Sequence, residues 1–266
     1  MIAYHNITGV PDFECAEFKS KKNKYCLCIP VINEGKRIAT ELKRAKDCGV
    51  SEKVDIILCD GGSTDGSTQI ETLILLDVNT LLVKTGPGKQ GAQLRMGFYW
   101  ALQRGYDGII TVDGNNKDSI ESVPLFIKKL DEGFDFVQGS RFIKGGIAIN
   151  TPFIRYFAVR LIHAPIISLT AKKWYTDTTN AYRCYSRNYL THPKVQPFRD
   201  IFVKYELLAY LSVRADQLGM KTCEVPVKRK YPKASRVPTK ISVLSGNFDL
   251  LKTLFKNFRD CYKPGR

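Results

Sequence analysis

The sequence predicts a single α/β domain with a doubly wound, mostly parallel sheet and a basic, helical C-terminal tail. Apolar residues make up 44% of the 266 residues, which is enough for a hydrophobic core. In the first half, short apolar segments alternate with segments of helical length, as they do when crossover helices connect parallel strands. Each apolar segment is followed by a polar or glycine-rich turn, and open sheets bind their ligands at such strand ends.

Four strands are predicted in the first half of the chain. They lie at residues 25–31, 54–60, 79–84 and 108–113. Helices are predicted between them, at residues 34–46, after the turn at 61–67, and at 88–104. The strands are continuous apolar runs, which indicates a sheet that is covered on both faces. Cys26 and Cys28 are two residues apart on the first strand, so we expect them on the same face.

The second half is less regular. Strands are predicted at residues 134–139, 181–186 and 222–227, and helices at 151–172 and 198–218. Segment 151–172 is apolar, but Arg155, Arg160 and His163 interrupt it, and no run reaches the ~18–20 uncharged apolar residues of a transmembrane helix. We expect an N-terminal extension at 1–24, one domain at 25–227 with halves of about 25–118 and 119–227, and a tail at 228–266.

The net charge is +15, because 41 Lys and Arg residues outnumber 26 Asp and Glu residues. Such a charge favours partners that carry phosphate, whether nucleic acid, anionic membrane or a phosphorylated substrate. Basic residues alternate with aromatic ones only near residues 228–240, which argues against nucleic-acid binding. The N-terminus lacks an apolar signal segment, and the eight cysteines lack zinc or redox spacing. Both features predict a cytoplasmic protein.

Polar motifs follow the strands of the first half, and we expect them to meet at one edge of the sheet. The segments IPVINEG, LCDGGSTDGS, GKQGAQLRMG and TVDGN occur in this order, followed by VQGSRF, TDTTNAYRCY and CEVPV. In these motifs the sequence resembles family-2 glycosyltransferases of the GT-A fold, especially those that use polyprenyl-phosphate acceptors. The resemblance spans about residues 25–227 and implies a GT-A, Rossmann-like sheet flanked by helices.

The resemblance implies a site for a nucleotide sugar, linked to UDP or GDP, in the first half. The residues implied are Pro30, Asn33, Glu34, Asp60, Lys89, Arg95 and Asp113. Asp60 corresponds to the acid that accepts a hydrogen bond from the base. Arg95 also fits a solvated charge on a helix. Asp65 corresponds to the second acid of the loop that contains Asp60, and it also fits a helix cap. Ile32 replaces the aromatic residue that stacks on the base in the family.

Asp113 and Asn115 correspond to the family's D-x-D motif, which implies Mg²⁺ or Mn²⁺ as the cofactor, since hard cations prefer oxygen ligands. The second acid of the motif is an amide here, and Lys117 follows it. We therefore expect the metal to bind weakly. Lys117 would then share the neutralisation of the departing diphosphate.

On the acceptor side, the resemblance implies Arg141, Arg155 and Arg183 as guanidinium groups that bind the acceptor. The catalytic residues implied are Asp113, Asp177 and Arg141. A hydroxyl acceptor needs a carboxylate base, for which Asp177 is the candidate, whereas a lipid phosphate arrives ionised and needs no strong base. Asp177 also fits a turn or capping role.

The sequence thus predicts a glycosyltransferase, by resemblance of the inverting kind, that moves a hexose to a polyprenyl phosphate or a cell-envelope glycan. The alternative is a nucleotidyltransferase that activates a sugar phosphate. An apolar stripe in the tail repeats at helical spacing: Leu244, Phe248, Leu251, Phe255 and Phe258. The stripe either packs on the core or contacts an anionic membrane at its inner face. Segment 151–172 has the same two interpretations.

Overall fold

The computed structural model describes residues 1–232 and 245–265, with side chains in the second range from residue 249 onward. The strands are β1 (Ile2–Tyr4), β2 (Phe13–Glu17), β3 (Tyr25–Val31), β4 (Asp55–Asp60), β5 (Val78–Lys84), β6 (Gly108–Thr111), β7 (Phe136–Ser140), β8 (Ile147–Ile149), β9 (Arg183–Ser186), β10 (Thr222–Pro226) and β11 (Lys228–Lys230). The helices are α1 (Lys36–Asp47), α2 (Ile70–Leu75), α3 (Gln90–Gln103), α4 (Val123–Asp131), α5 (Phe153–Ala158), α6 (Ala164–Ala171), α7 (Arg187–Thr191), α8 (Glu206–Gln217) and α9 (Ser245–Phe258).

Nine strands form one sheet in the order β1-β2-β5-β4-β3-β6-β9-β7-β10. The central strands β5, β4, β3 and β6 are parallel, and β10 is parallel to β7. In contrast, β9 runs antiparallel between β6 and β7, and β2 runs antiparallel to β5. The predicted α/β class is confirmed, but the sheet is mixed and only its centre is parallel. The N-terminal extension belongs to the sheet, because it supplies β1 and β2.

Two apolar layers cover the faces of the sheet. Cys26 and Cys28 lie in the layer that contains α3 and α8, whereas Leu27 and Ile29 lie in the layer that contains α1 and α4. This alternation follows from the two-residue period of a strand that is buried on both faces. The expected common face of Cys26 and Cys28 is confirmed, and all eight cysteines are free thiols.

The predicted helix at 198–218 begins only at Glu206. Residues before it form a loop that packs on the start of α3, where Lys89 N donates to Val203 O over 3.0 Å. A Cβ at Gly91 would lie 2.6 Å from Phe202 O, so this close approach requires glycine. The prediction of a helix at residues 198–205 is wrong, because the apolar residues of this loop contact the core without forming a helix.

The helix at 153–171 is continuous from α5 through the π-helical segment Val159–His163 to α6. By length and composition it could cross a membrane, and it is the one such helix in the described residues. Only 28% of its most apolar 18-residue stretch is buried. Phe153, Ile154 and Leu161 are 75%, 78% and 68% exposed. This helix therefore presents a large apolar face outside the core.

The tail helix α9 packs on the domain through a face other than the predicted stripe. Leu254 is buried, and Asn257 Nδ2 donates to Ala209 O of α8 over 2.9 Å. Leu251, Phe255 and Phe258 of the stripe are exposed, so the interpretation that this stripe packs on the core is wrong for them. Leu244, the side chain of Phe248 and residues 233–240 of the basic stretch lie outside the described part.

Candidate active site

Six strands have their carboxyl ends at one edge of the sheet: β3, β4, β5, β6, β7 and β10. Val31 at the end of β3 pairs with Asp60 at the end of β4, and β6 runs parallel on the other side of β3. Since β7 and β10 point the same way, Ser140 and Pro226 end at this edge as well. The motifs that follow these strands are therefore brought to one side of the sheet, as the sequence predicted.

The loops after β3 and β4 form one hydrogen-bonded unit. Asn33 N donates to Ser63 Oγ over 2.9 Å, and Thr64 N donates to Asn33 Oδ1 over 2.8 Å. Ser67 Oγ accepts from Glu34 N and Gly35 N over 3.0 and 2.7 Å. Asn33 has a φ of 48°, which asparagine tolerates better than most residues. The two loops thus fix each other's shape at the place predicted for the nucleoside.

Asp60 organises the turn that follows it. Its buried carboxylate accepts from Gly62 N over 3.1 Å, from Ser63 N over 2.9 Å and from Ser63 Oγ over 2.5 Å. Asp65 makes a similar local turn, since its Oδ1 accepts from Ser67 N over 3.0 Å. The hydrogen bond from the Ser67 hydroxyl is the main reason that the pKa of Asp65 lies below its usual value. Asp65 therefore forms a local turn and does not cap α2, whose N-cap is Gln69, so the capping interpretation is wrong for this helix.

Two glutamines of the GKQGAQLR motif, which sequence reasoning missed, connect α3 to the strand ends. Gln93 Nε2 donates to Val31 O over 2.7 Å and to Cys59 O over 3.0 Å. Gln90 Nε2 donates to Asp113 Oδ1 over 3.1 Å. Amide side chains three residues apart lie on one face of a helix. The signal in the sequence was therefore two glutamines at this spacing in the first helical turn after a predicted strand.

The other four residues predicted for the donor side differ from one another in burial and in their partners. Pro30 is buried within β3, and Lys89 is exposed at the start of α3. Glu34 pairs with Arg37 over 2.7 Å. Arg95 is buried, donates to Gly9 O and pairs with Asp200 over 2.8 Å. These contacts tie α3 to the N-terminal segment, so both predicted roles of Arg95, as a donor-site cation and as a solvated charge, are wrong in this structure.

The loop after β6 carries the predicted metal ligands. Asp113 is partly exposed, and Asn115 N donates to Asp113 O over 2.8 Å within a tight turn. Glu41 Oε2, on α1, accepts a hydrogen bond from Asn116 N over 2.7 Å and so stabilises this turn. Burial raises the pKa of Glu41 well above its usual range, which favours its neutral acid. The turn is thus held by a buried group that α1 supplies.

Arg229, which the sequence did not single out, contacts Asp113. Its Nη2 donates to Asp113 Oδ2 over 3.1 Å, and its Nη1 donates to the buried carboxylate of Asp118. Burial raises the pKa of Asp118 to about 6, and the charge of Arg229 acts in the opposite direction. Burial also lowers the pKa of Lys117, and the nearby Arg229 lowers it further. Cationic and acidic groups therefore alternate around the loop.

The oxygen atoms of this loop suit a hard cation chemically. Asn115 Oδ1 is buried and has no hydrogen-bond donor, and Asp113 offers a carboxylate beside it. The chain supplies few further ligands, since no group of three or more His, Cys, Asp or Glu within residues 1–232 and 249–265 could hold a metal ion. The residues present thus fit a divalent ion that takes most of its ligands from elsewhere.

The acceptor side contains a buried ion pair between Arg141 and Asp177. Arg141 Nε donates to Asp177 Oδ2 over 2.6 Å and Nη2 donates to Oδ1 over 2.8 Å, with both side chains at most 1% exposed. Arg141 N also donates to Asp177 Oδ2 over 3.1 Å. Glu224, another residue that the sequence missed, accepts from Thr176 N and Asp177 N. Asp177 is therefore engaged on both oxygens, and its prediction as a general base is wrong in this structure.

Arg183 has a structural role rather than the predicted role in acceptor binding. It is buried, and its three donor nitrogens bond to the backbone oxygens of Asn180, Thr178 and Leu208 over 2.6–3.0 Å. A guanidinium that is surrounded by backbone carbonyls has few donors left for a phosphate.

Arg155 lies closer to the site. Its Nη1 donates to the hydroxyl of Tyr231 over 3.1 Å. Burial alone raises the pKa of the Tyr231 phenol, but three nearby guanidinium groups bring it below its usual value. They belong to Arg229, Arg155 and Arg141. The structure thus brings together two of the three predicted acceptor arginines and adds Arg229 to them.

Comparisons with known proteins agree with this architecture, although no family model matches the chain. The chain is 28% identical over 210 residues to polyprenol monophosphomannose synthase of Mycolicibacterium smegmatis, covering 75% of this chain and 74% of the relative. It is 29% identical over 205 residues to undecaprenyl-phosphate mannosyltransferase of Micrococcus luteus, covering 75% and 80%.

A solved structure of similar fold is glucosyl-3-phosphoglycerate synthase of Mycobacterium tuberculosis in complex with Mn²⁺, UDP and glucosyl-3-phosphoglycerate. It superposes with a TM-score of 0.63 at 16% identity, covering 88% of this chain and 80% of the other. At this identity the likeness concerns the fold. The predicted resemblance to GT-A glycosyltransferases with polyprenyl-phosphate acceptors is confirmed by the relatives and by the fold together.

Proposed function

We propose that this chain transfers a sugar from a nucleotide sugar to a polyprenyl phosphate. The observation that carries the proposal is the buried pair of Arg141 and Asp177. Because this pair removes the candidate base, an acceptor that is already ionised fits the site better than a hydroxyl. A phosphate oxygen of the acceptor attacks the anomeric carbon, and the bond from that carbon to the diphosphate breaks. The products are a lipid-linked sugar and a nucleoside diphosphate.

The donor occupies the loops after β3, β4 and β6 in this proposal. Asn33 and Asp60 lie where the nucleoside is expected, and Asp113 lies at the end of the neighbouring strand. A divalent ion, Mg²⁺ or Mn²⁺, would be held by Asp113 and Asn115. It would neutralise charge on the departing diphosphate.

The acceptor phosphate is placed near Arg155, because guanidinium groups bind phosphate through paired hydrogen bonds. Arg141 stays buried in its pair with Asp177 and makes no contact with the phosphate in this proposal. Beside them lies a groove of about 410 Å³. Its lining includes Phe142, Tyr156, Phe157, Leu161 and Trp174. An apolar, partly aromatic groove next to arginines suits a molecule with a phosphate head and an isoprenoid chain. The groove therefore supports a lipid acceptor over a soluble glycan.

The exposed apolar face of helix 153–171 gives this acceptor a route from a bilayer. Phe153, Ile154 and Leu161 are exposed, and Trp174, which lines the same groove as Leu161, is 67% exposed. Soluble proteins rarely leave so much contiguous apolar surface in water without a partner. The net charge of +15 would attract the same anionic surface. We thus place the protein in the cytoplasm, at the inner face of the membrane.

The test is a transfer assay with undecaprenyl phosphate in detergent and a panel of UDP- and GDP-linked sugars. We expect a lipid-linked sugar and an equal amount of nucleoside diphosphate with one donor. Undecaprenol without phosphate is the matched control and should remain unmodified. The alternative function, nucleotidyl transfer, would instead release pyrophosphate from a nucleoside triphosphate and a sugar phosphate. Pyrophosphate release without sugar transfer would overturn the proposal.

A further inference from the structure

Arg229 is held rigidly beside Asp113 by the backbone around it. It lies in β11, where Lys230 N donates to Lys117 O over 2.8 Å and Ser119 N donates to Lys228 O over 2.8 Å. An isolated bridge also pairs Arg229 with Asp118. These contacts join the segment after β10 to the loop after β6. The guanidinium of Arg229 is therefore a fixed feature of the site.

The position of Arg229 affects how charge is balanced at the donor site. Its Nη2 lies 3.1 Å from Asp113 Oδ2, so the acid that corresponds to the first ligand of D-x-D already has a cationic partner. A divalent ion on Asp113 would lie close to this guanidinium, and like charges at short range repel. The second motif position, Asn115, carries no charge to offset that repulsion. Arg229 thus already places beside Asp113 a positive charge, which Asp113 shares with Asp118.

We propose that Arg229 is a resident counter-cation of the donor site, which neutralises Asp113 and attracts the diphosphate, so that a nucleoside diphosphate binds without a divalent metal. The inference rests on the proposed function, since it assumes that the diphosphate of a nucleotide sugar lies at Asp113. A metal then adds to binding but is not required for it. Free metal binds weakly until a diphosphate supplies further oxygen ligands and negative charge.

The experiment is calorimetric titration of UDP and of GDP into the full chain, with EDTA and with Mn²⁺. We expect the nucleotide that binds to lose less than about tenfold in affinity when Mn²⁺ is removed. The variant is Arg229→Gln combined with Asp118→Asn, because Arg229→Gln alone would leave the buried Asp118 without its cation. This double variant should lose at least about tenfold in affinity in EDTA, as expected for a lost charge-assisted interaction, and less in Mn²⁺.

A second measurement needs no substitution. Mn²⁺ binding to the wild-type protein, followed by electron paramagnetic resonance, should be at least about tenfold weaker without nucleotide than with it. The inference is overturned if wild-type binding requires Mn²⁺, if the folded double variant binds equally well in EDTA, or if Mn²⁺ binds equally well alone. A chain that binds neither nucleotide under either condition would overturn the glycosyltransferase proposal itself. Binding that requires Mn²⁺ would leave that proposal standing.

Discussion

Arg141 and Asp177 form a two-point ion pair from which solvent is excluded, with N–O distances of 2.6 and 2.8 Å. The pair joins the end of β7 to the segment before β9, and Glu224 supports it from β10. Because the Asp177 carboxylate also accepts from Arg141 N, it fixes both the side chain and the backbone of that arginine. Asp177 therefore determines where Arg141 lies, and it has no free oxygen to take a proton.

Replacing Asp177 with alanine should destabilise the protein by about 3–5 kcal/mol, because it leaves a buried guanidinium without its partner. The free energy of unfolding in urea measures the effect. The matched control is Glu121→Ala, which removes the partner of Arg44 from an exposed pair with an N–O distance of 2.7 Å. That change should cost at most about 1 kcal/mol. Unchanged stability with lost turnover in Asp177→Ala would instead restore Asp177 as a base.

Replacing Asp60 with asparagine should weaken nucleotide binding by about 1–3 kcal/mol, because the base N–H would lose a charged acceptor. Asparagine keeps one acceptor oxygen for the turn with Ser63, so the fold should survive. The control is Asp65→Asn, which changes a local turn with Ser67 in the same loop and should leave affinity unchanged. Calorimetry with UDP and GDP measures both. Equal affinity in Asp60→Asn and wild type would remove Asp60 from the site.

The strands of the sheet could be predicted because an apolar run such as residues 25–31 is a local signal. Positions in the candidate site could be predicted only where a motif lies at or just after the end of a strand, as with Asp60 and Asp113. The contact of Arg229 with Asp113 joins residues 116 positions apart, and nothing near Arg229 in the sequence indicates it. The buried state of Asp177 was likewise hidden, because its partner lies 36 positions away and burial is set by the packing of the whole domain.

Replacing Asn115 with aspartate should tighten Mn²⁺ binding, because a carboxylate replaces the neutral oxygen Oδ1, which has no hydrogen-bond donor. An increase of about tenfold in affinity corresponds to roughly 1.4 kcal/mol, and titration followed by electron paramagnetic resonance would detect it. Asn116→Asp is the control, since Asn116 Oδ1 already accepts from Arg44 over 2.7 Å. If both variants tighten Mn²⁺ binding equally, general negative charge rather than ligation explains the effect.

His163 should make the protein sensitive to acid. Burial lowers its pKa to about 4, and the charge of Arg155 contributes in the same direction. The unfolded chain binds this proton near the usual pKa of about 6.5. The contribution of the buried, neutral His163 to the free energy of unfolding is therefore fully present above pH ~6.5. It is lost as the pH falls towards ~4, by up to about 3 kcal/mol.

The variant His163→Gln should lose less stability than wild type between pH 7 and pH ~4.5, since it removes the group responsible. Urea unfolding at both pH values measures the difference. His5→Gln is the control, because the His5 side chain is 59% exposed. An identical loss of stability in His163→Gln and wild type would show that other groups control the acid response.

The apolar face of helix 153–171 should mediate binding to anionic vesicles. Each large apolar side chain that leaves water contributes about 1.5–3 kcal/mol. Replacing Phe153, Ile154 and Leu161 with serine should therefore reduce the affinity for phosphatidylglycerol vesicles, measured by sedimentation, by far more than tenfold. The control is Ile74→Ser with Leu75→Ser on α2, where both side chains are also exposed. This pair changes exposed apolar surface outside the proposed face and should leave binding intact.

Salt separates the apolar part of this interaction from the electrostatic part. Raising the ionic strength shortens the Debye length from about 10 Å at 0.1 M to about 3 Å at 1 M, so attraction by the net charge weakens. Wild-type binding should therefore fall with salt, but it should retain a part that the triple serine variant lacks. If the triple variant and wild type bind equally at both ionic strengths, the exposed face of helix 153–171 does not contact the bilayer. The stripe on α9, with Phe255 and Phe258 exposed, would then be the surface to replace next.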